Sequence, residues 1–206
     1  MKLVDFYNET VKKNESETGG WSVLYYGVLS KVIKENNYKI VAEVGIGYGT
    51  HAKHILSNTD VDKLILIDPT KFYPNDGFAQ DIMDKTAELP GNNFEELYCL
   101  INKYLSPWKH RFTWFRKESL TITNNDVPDE SLDCVFVDGD HSYEAVSKDL
   151  PFWWKKVRSG GQLLGDDYWM TGVAKAVDEF ARDNNLQVNF LSKDGSNYKI
   201  FSFTKN

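Results

Sequence analysis

Two cysteines in 206 residues are too few for a disulfide framework or a cysteine-built zinc site. Cys99 and Cys134 lie in no metal-type pair, and Cys134 sits inside an apolar run. Both are therefore expected to be reduced core thiols of an intracellular protein. Positive charge is not in excess either. Lys and Arg number 24 against 30 Asp and Glu, for a formal net charge of -6. This balance excludes a dominant electrostatic grip on nucleic acid, although local basic patches stay open. No apolar run approaches membrane-spanning length, and Met1–Phe6 lacks the continuous apolar stretch of a signal peptide. The expectation is a cytosolic protein with neither membrane nor nucleic acid as partner. Internal repeats, low-complexity tracts and domain linkers are also missing. One domain is expected over 1–206, beginning with a helical segment at about 1–37.

What the chain does have is centred on Ile40-Val41-Ala42-Glu43-Val44-Gly45-Ile46-Gly47-Tyr48-Gly49-Thr50. A β-branched apolar run with one acid passes straight into glycines at every second position, and a helical pattern (Ala52, Ile55, Leu56) follows. A buried strand that stops in a glycine loop opening a helix brings backbone N–H groups against a ligand's polar groups. The spacing is G-x-G-x-G, whereas the dinucleotide fingerprint is G-x-G-x-x-G, so the pattern leans away from NAD. An ordinary α/β turn is the alternative.

Other elements follow from periodicity. Apolar residues from Trp21 to Asn36 recur at helical spacing. The run Leu64–Ile67 closes on Asp68-Pro69, making a βαβ unit with a parallel strand buried on both faces. Asp68 is then placed to accept both hydroxyls of a ribose, or simply to cap a turn before proline. The connection from about 70 to 110 is long for a crossover. It carries two expected helices, near Phe78–Leu89 and Phe94–Leu105, and is a candidate lid, an embellishment or an oligomer contact. Phe112–Phe115 and Leu132–Asp138 are the next strands. A helix from Tyr143 to Val157 is expected to kink at Pro151. Ser159-Gly160-Gly161 is expected to turn the chain into a strand at Gln162–Gly165, and a helix spans Val173–Asn184. Leu186–Phe190 and Tyr198–Phe203 are expected to close the chain as an antiparallel pair around Asp194-Gly195.

The order of elements, the Glu43/Gly45/Gly47/Gly49 loop and Asp68 together resemble the class I S-adenosylmethionine-dependent methyltransferases over nearly the whole chain. The run Val137-Asp138-Gly139-Asp140-His141-Ser142-Tyr143-Glu144, with Asp149-Leu150, Gly160-Gly161 and Gly165-Asp166-Asp167-Tyr168, is similar to the branch that contains macrocin O-methyltransferase and other sugar or antibiotic O-methyltransferases. The resemblance implies an α/β, Rossmann-like sheet of seven strands in the order 3-2-1-4-5-7-6, the last antiparallel, flanked by helices. It implies that Gly45, Gly47 and Gly49 pass close to the methionine part of S-adenosylmethionine, that Glu43 helps fix their loop, and that Asp68 holds the ribose. Glu118 and Ser119 would lie beside the adenine, and Asp138 would border the cofactor.

Asp138, Asp166 and Asp167 would stand at the ends of two adjacent strands. Three converging carboxylates repel one another unless one protonates or a cation sits among them. Oxygen ligands suit a hard ion, with Mg²⁺ first and Ca²⁺ or Mn²⁺ behind it. The alternative is that some of these acids cap helices or face solvent, and Asp140 and Ser142 are good caps for the helix at Tyr143. An ion of this kind would lower the pKa of a hydroxyl nucleophile, and Asp140 or His141 could take its proton. His141 could equally be a surface-loop residue. Tyr168 and Trp169 are candidate substrate contacts, whereas Trp153 and Trp154 fit the core or a subunit interface. The expected activity is methylation of a sugar or other small hydroxylated metabolite, by a monomer or a homo-oligomer. The alternatives are an NAD-dependent oxidoreductase or epimerase, and a non-catalytic cofactor-binding assembly partner.

Overall fold

Short β-branched and aliphatic runs become the strands of one sheet in the computed structural model, which describes residues 21–71, 94–192 and 199–206. β1 (Ile40–Val44), β2 (Lys63–Ile67), β3 (Phe112–Phe115), β4 (Leu132–Val137) and β5 (Val157–Gly165) are parallel. β7 (Ile200–Thr204) runs antiparallel to both of its neighbours, β5 and β6 (Asn189–Leu191). The spatial order is β3-β2-β1-β4-β5-β7-β6, as the resemblance implied. β4 is buried at every position, which explains why its sequence is continuously apolar and does not alternate.

Successive residues of these strands feed two separate cores. Val41, Leu64, Leu66, Cys134, Phe136 and Leu164 face α1 (Trp21–Glu35), α2 (Thr50–Asn58) and α3 (Phe94–Leu105). Ala42, Val44, Ile65, Ile67, Val135, Val137 and Leu163 face α4 (Tyr143–Lys156) and α5 (Thr171–Asp183). Each aliphatic side chain fully removed from water contributes about 1.5–3 kcal/mol, so the two layers hold the sheet between them. α1 ends as its asparagines suggest. Asn37 takes the left-handed conformation at φ 53 and Tyr38 N–H returns to Ile33 O at 3.0 Å, satisfying a terminal carbonyl.

Three expectations need correction. Cys99 is exposed, not a core thiol, because α3 buries Leu97, Ile101 and Leu105 on the opposite face. Ser159-Gly160-Gly161 does not precede a strand but lies inside β5. There Gly160 N–H donates to Lys205 O and Lys205 N–H to Gly161 O, which prolongs the pairing with the chain end. α4 runs unbroken through Pro151, which does not end it. The closing strands begin two or three residues later than their apolar patterns suggested. The expected helices in 1–17 and 78–89, the Asp194-Gly195 loop and most of the candidate lid at 70–110 lie outside the described residues. Among those described, no helix is long and apolar enough to cross a membrane.

Candidate active site

Parallel pairing continues one residue past each strand end and lines up the candidate residues. Asp68 N–H donates to Phe115 O, Gly45 N–H to Ile67 O, Asp138 N–H to Val44 O and Asp166 N–H to Val137 O. Asp68, Gly45, Asp138 and Asp166 therefore stand in a row across the carboxyl edge of β2, β1, β4 and β5. Backbone register, not side-chain attraction, brings these residues together from distant parts of the sequence.

Gly45, Gly47 and Gly49 all have positive φ, at 80, 49 and 73. At Gly45 the need for glycine is absolute: a Cβ there would lie 2.0 Å from the carbonyl oxygen of Asp138. The loop after β1 thus rests directly on the loop after β4. Behind it, Glu43 is 2% exposed and its Oε1 lies 3.2 Å from Nδ1 of His51, on the first turn of α2. Burial, with Asp138 and Asp68 adding to it, raises the Glu43 pKa well above the usual carboxylate value. Burial also lowers His51 to about 3, against the pull of Asp138. With the His51 ring held neutral, the contact is a hydrogen bond and not an ion pair. His51 stacks on Tyr26 at 4.8 Å between ring centroids. Sequence reasoning missed this partner, although its place eight residues after Glu43, on the helix opened by the glycine loop, was the available signal.

Asp68 serves the same loop. Its Oδ2 accepts from Ile46 N–H at 3.0 Å, and its Oδ1 accepts from the Thr70 N–H and hydroxyl at 2.6 and 3.1 Å. Burial raises its pKa, while these donors and the Gly47 N–H oppose the rise. A carboxylate offers about four acceptor sites, and three are taken by the Ile46 and Thr70 bonds, which leaves room for a ribose hydroxyl. Glu118 is paired with Lys71 and exposed. Ser119 opens a short turn, Ser119–Thr121, and its hydroxyl points inward to Asp149 and Trp153.

The acid cluster forms with one change of membership. Ligand atoms of Asp138, His141 and Asp167 all lie within 4.8 Å of one another. His141 Nε2 is 3.4 Å from Asp138 Oδ1 and 3.2 Å from Asp167 Oδ2, within ion-pair range of both though not aligned for a hydrogen bond by strict angles. Burial pulls the His141 pKa down, but Asp138, Asp167 and Asp166 outweigh it and push the group up to about 9. Burial also raises Asp167, against His141 and the Trp169 N–H. Asp166 is buried, accepts from the Asp167 N–H at 2.7 Å and does not belong to the three-residue set. Asp140 is exposed and accepts from Ser142 N–H, while Ser142 caps α4 by accepting from Ala145 N–H. Of the two expected caps, Ser142 is the N-cap, whereas Asp140 closes the turn that precedes it. Tyr168 packs away from the cluster, its hydroxyl on Asp178 and its ring on Phe190. Trp169 stays 71% exposed, with its N–H on Asp167 Oδ1.

A glycine loop resting on a row of strand-end acids, on a sheet of this order, is the arrangement of one large enzyme class. Residues 42–168, more than half of the chain and the whole of this site, match the family described as "Methyltransferase domain". The chain belongs to that family. Its seven-stranded sheet has the order of the class I methyltransferase fold. An uncharacterized protein of Acanthamoeba polyphaga mimivirus is 36% identical over 147 residues, which cover 68% of this chain and 58% of the viral protein. The chain therefore spans less than two thirds of that relative. Among solved structures, a Staphylococcus aureus protein assigned as a caffeoyl-CoA O-methyltransferase superposes with TM-score 0.62 at 14% identity, covering 99% of this chain and 93% of that one. A Corynebacterium glutamicum protein gives 0.59 at 14% identity, covering 98% and 95%. An O-methyltransferase family protein from Burkholderia thailandensis gives 0.57 at 14% identity, covering 98% and 58%. At such identities the likeness is one of fold.

The residues of the methyltransferase fit the groups its family implies. For the cofactor, the loop presents backbone held in place by close packing of Gly45 on Asp138 and of Gly49 on Ile101, and Glu43 Oε2 is a buried oxygen with no hydrogen-bond partner among the described residues. For a cation, carboxylate oxygens of Asp138 and Asp167 and a ring nitrogen of His141 lie within 4.8 Å of one another, a donor set that a hard divalent ion accepts once the imidazole is neutral.

Proposed function

We propose that this chain is an S-adenosylmethionine-dependent O-methyltransferase, assisted by a divalent cation, acting on a hydroxyl of a sugar, a glycosylated metabolite or another small hydroxylated molecule. The observation that supports the reading is the Asp138–His141–Asp167 cluster next to Gly45, since groups able to hold a cation then lie beside the glycine loop. Bound S-adenosylmethionine supplies an electrophilic methyl group, and a hard divalent ion supplies Lewis acidity that lowers a hydroxyl pKa.

The chain's own residues supply the rest. Gly45, Gly47 and Gly49 let the backbone approach the cofactor, and Asp68 takes up its ribose. Asp138 and Asp167 would hold the ion, with Asp166 bracing the Asp167 backbone. Without an ion, and against the effect of burial, Asp138, Asp167 and Asp166 raise the His141 pKa to about 9 and favour its protonated form; a bound ion would lower it. Asp140, exposed in the same loop, or His141 with the ion bound, would take the acceptor's proton. The net charge of -6 and the acid-lined edge suit a small neutral acceptor better than a polyanion.

The test is turnover. The protein, S-adenosylmethionine and Mg²⁺ are incubated with a panel of sugars, glycosides and catechols, and products are read by mass spectrometry. The expected result is a methyl ether together with S-adenosylhomocysteine, abolished by a strong chelator and restored by excess Mg²⁺. Methylation only at nitrogen or carbon would overturn the O-methyl assignment, and full activity in chelator would overturn the role of the ion.

A further inference from the structure

Trp169 is the most exposed large apolar side chain among the described residues, and it belongs to neither core. Its neighbours Tyr168 and Met170 both pack against the second core. An indole has one hydrogen-bonding group, the N–H, and in so open a place water could accept from it as well as protein could. The N–H is committed instead to Oδ1 of Asp167, at 2.7 Å. The other oxygen of that carboxylate, Oδ2, meets the cluster. It lies 3.2 Å from His141 Nε2, which stands 3.4 Å from Asp138 Oδ1. The Asp167 backbone is pinned on both sides, its N–H donating to Asp166 Oδ1 at 2.7 Å and its carbonyl accepting from Met170 N–H at 2.8 Å. With the main chain fixed at φ 58, the bond to Trp169 decides how the carboxylate is turned: one oxygen to the indole, the other to the cluster.

Divalent ions differ in what they ask of a carboxylate. Ca²⁺ gathers many oxygens in a flexible shell and readily takes both oxygens of one acid. Mg²⁺ demands a small octahedral shell, keeps several waters and takes acids one oxygen at a time. Ligation through both oxygens of Asp167 would need the carboxylate to face the ion squarely, and the bond at Oδ1 opposes that rotation. Partners that orient a ligand in this way are part of a metal site's selectivity. We propose that Trp169 sets the ion preference of the cluster: by holding Oδ1 of Asp167 it makes that acid a one-oxygen ligand, which suits Mg²⁺ and disfavours Ca²⁺. The inference rests on the cation reading above and adds which ion is taken and which side chain decides it. Trp169 acts through Asp167 and is a positioning residue for the ion, whatever its ring does for the acceptor.

The test compares the unmutated protein with Trp169→Phe and Trp169→Ala by calorimetry at one pH, with Mg²⁺ and Ca²⁺ as separate titrants. The side chain is open to solvent, so both variants keep the fold, and S-adenosylmethionine affinity is unchanged in them. Mg²⁺ affinity falls roughly tenfold in each, the lower end of what loss of a ligand's hydrogen-bond partner costs. Ca²⁺ affinity holds or rises, so the preference for Mg²⁺ over Ca²⁺ drops by roughly tenfold or more. Trp169→Phe keeps a ring and loses the N–H, so equal effects of the two variants assign the preference to the hydrogen bond. A general loosening of Asp167 would move both ions together, which makes the ratio the deciding quantity. Saturating Mg²⁺ offsets the loss, so affinity and not turnover carries the test. An unchanged ratio in Trp169→Phe overturns the proposal and leaves the cation reading in place. A shift in Trp169→Ala alone overturns it too, since the ring and not the N–H would then be responsible. An unmutated protein that binds neither ion overturns the cation reading and the proposal with it.

Discussion

The Trp169 indole N–H donates to Asp167 Oδ1 at 2.7 Å while the side chain remains 71% exposed. One residue thereby anchors a cluster acid and presents an open aromatic surface over it. Asp167 itself has φ 58, an uncommon conformation outside glycine that turns its carboxylate toward His141 and Trp169.

Trp169→Ala should remove the aromatic surface and lower kcat/KM for the acceptor by roughly ten- to a hundredfold, the range for losing a large apolar contact. Trp169→Phe should restore much of that loss if the ring face is what matters. S-adenosylmethionine affinity should hold in both variants. Steady-state kinetics with a competent acceptor, alongside calorimetry, checks this, and equal activity of Trp169→Ala and the unmutated protein would exclude Trp169 from the acceptor site.

Asp68→Ala takes away the acceptor for Ile46 and Thr70 as well as for a ribose. Losing hydrogen bonds to a charged group costs about 1.5–3 kcal/mol, or roughly ten- to a hundredfold in affinity. S-adenosylmethionine should weaken by that factor in a protein that still folds, with Mg²⁺ affinity unaltered. Calorimetry on the purified variant reads both constants.

Asp167→Asn keeps the shape and removes one negative charge beside His141. Mg²⁺ affinity should fall and turnover collapse, with S-adenosylmethionine binding little changed. High Mg²⁺ should partly rescue the variant, and chelator should mimic it in the unmutated protein. The His141 proton offers a second reading of the same cluster. Because its pKa is raised from 6.5 to about 9, its stabilisation is fully present below pH 6.5 and is lost as pH rises through 9. NMR should show it titrating near 9 without ion and lower in Mg²⁺, since like charges compete for the same two carboxylates.

His51 shifts the other way. Its pKa falls from 6.5 to about 3 on burial, so folding favours the neutral ring. That contribution is complete above pH 6.5 and declines as pH falls toward 3, because the unfolded state gains the proton first. Urea unfolding at a series of pH values should show the loss, and His51→Gln should flatten that limb of the profile. An identical pH slope in His51→Gln would mean that other groups set it.

Much of this was legible in the chain itself. Continuous apolar runs marked β1, β2 and β4 because a strand buried on both faces has no reason to alternate. The glycines of 45–49 marked a loop of left-handed backbone, and Asp68, Asp138, Asp166 and Asp167 declared themselves as acids at strand ends. Local patterns reach that far because backbone conformation and burial period are properties of neighbouring residues. They do not reach side-chain direction. Only the tertiary structure decided that His141 and not Asp166 completes the acid cluster, that Ser119 turns inward to Asp149, and that Cys99 faces solvent. It also decided that Tyr168 packs on Phe190 while its neighbour Trp169 stays open. Each of these depends on which helix or strand from elsewhere in the chain meets the residue, and that meeting is fixed by sheet register and packing, which no stretch of sequence contains by itself.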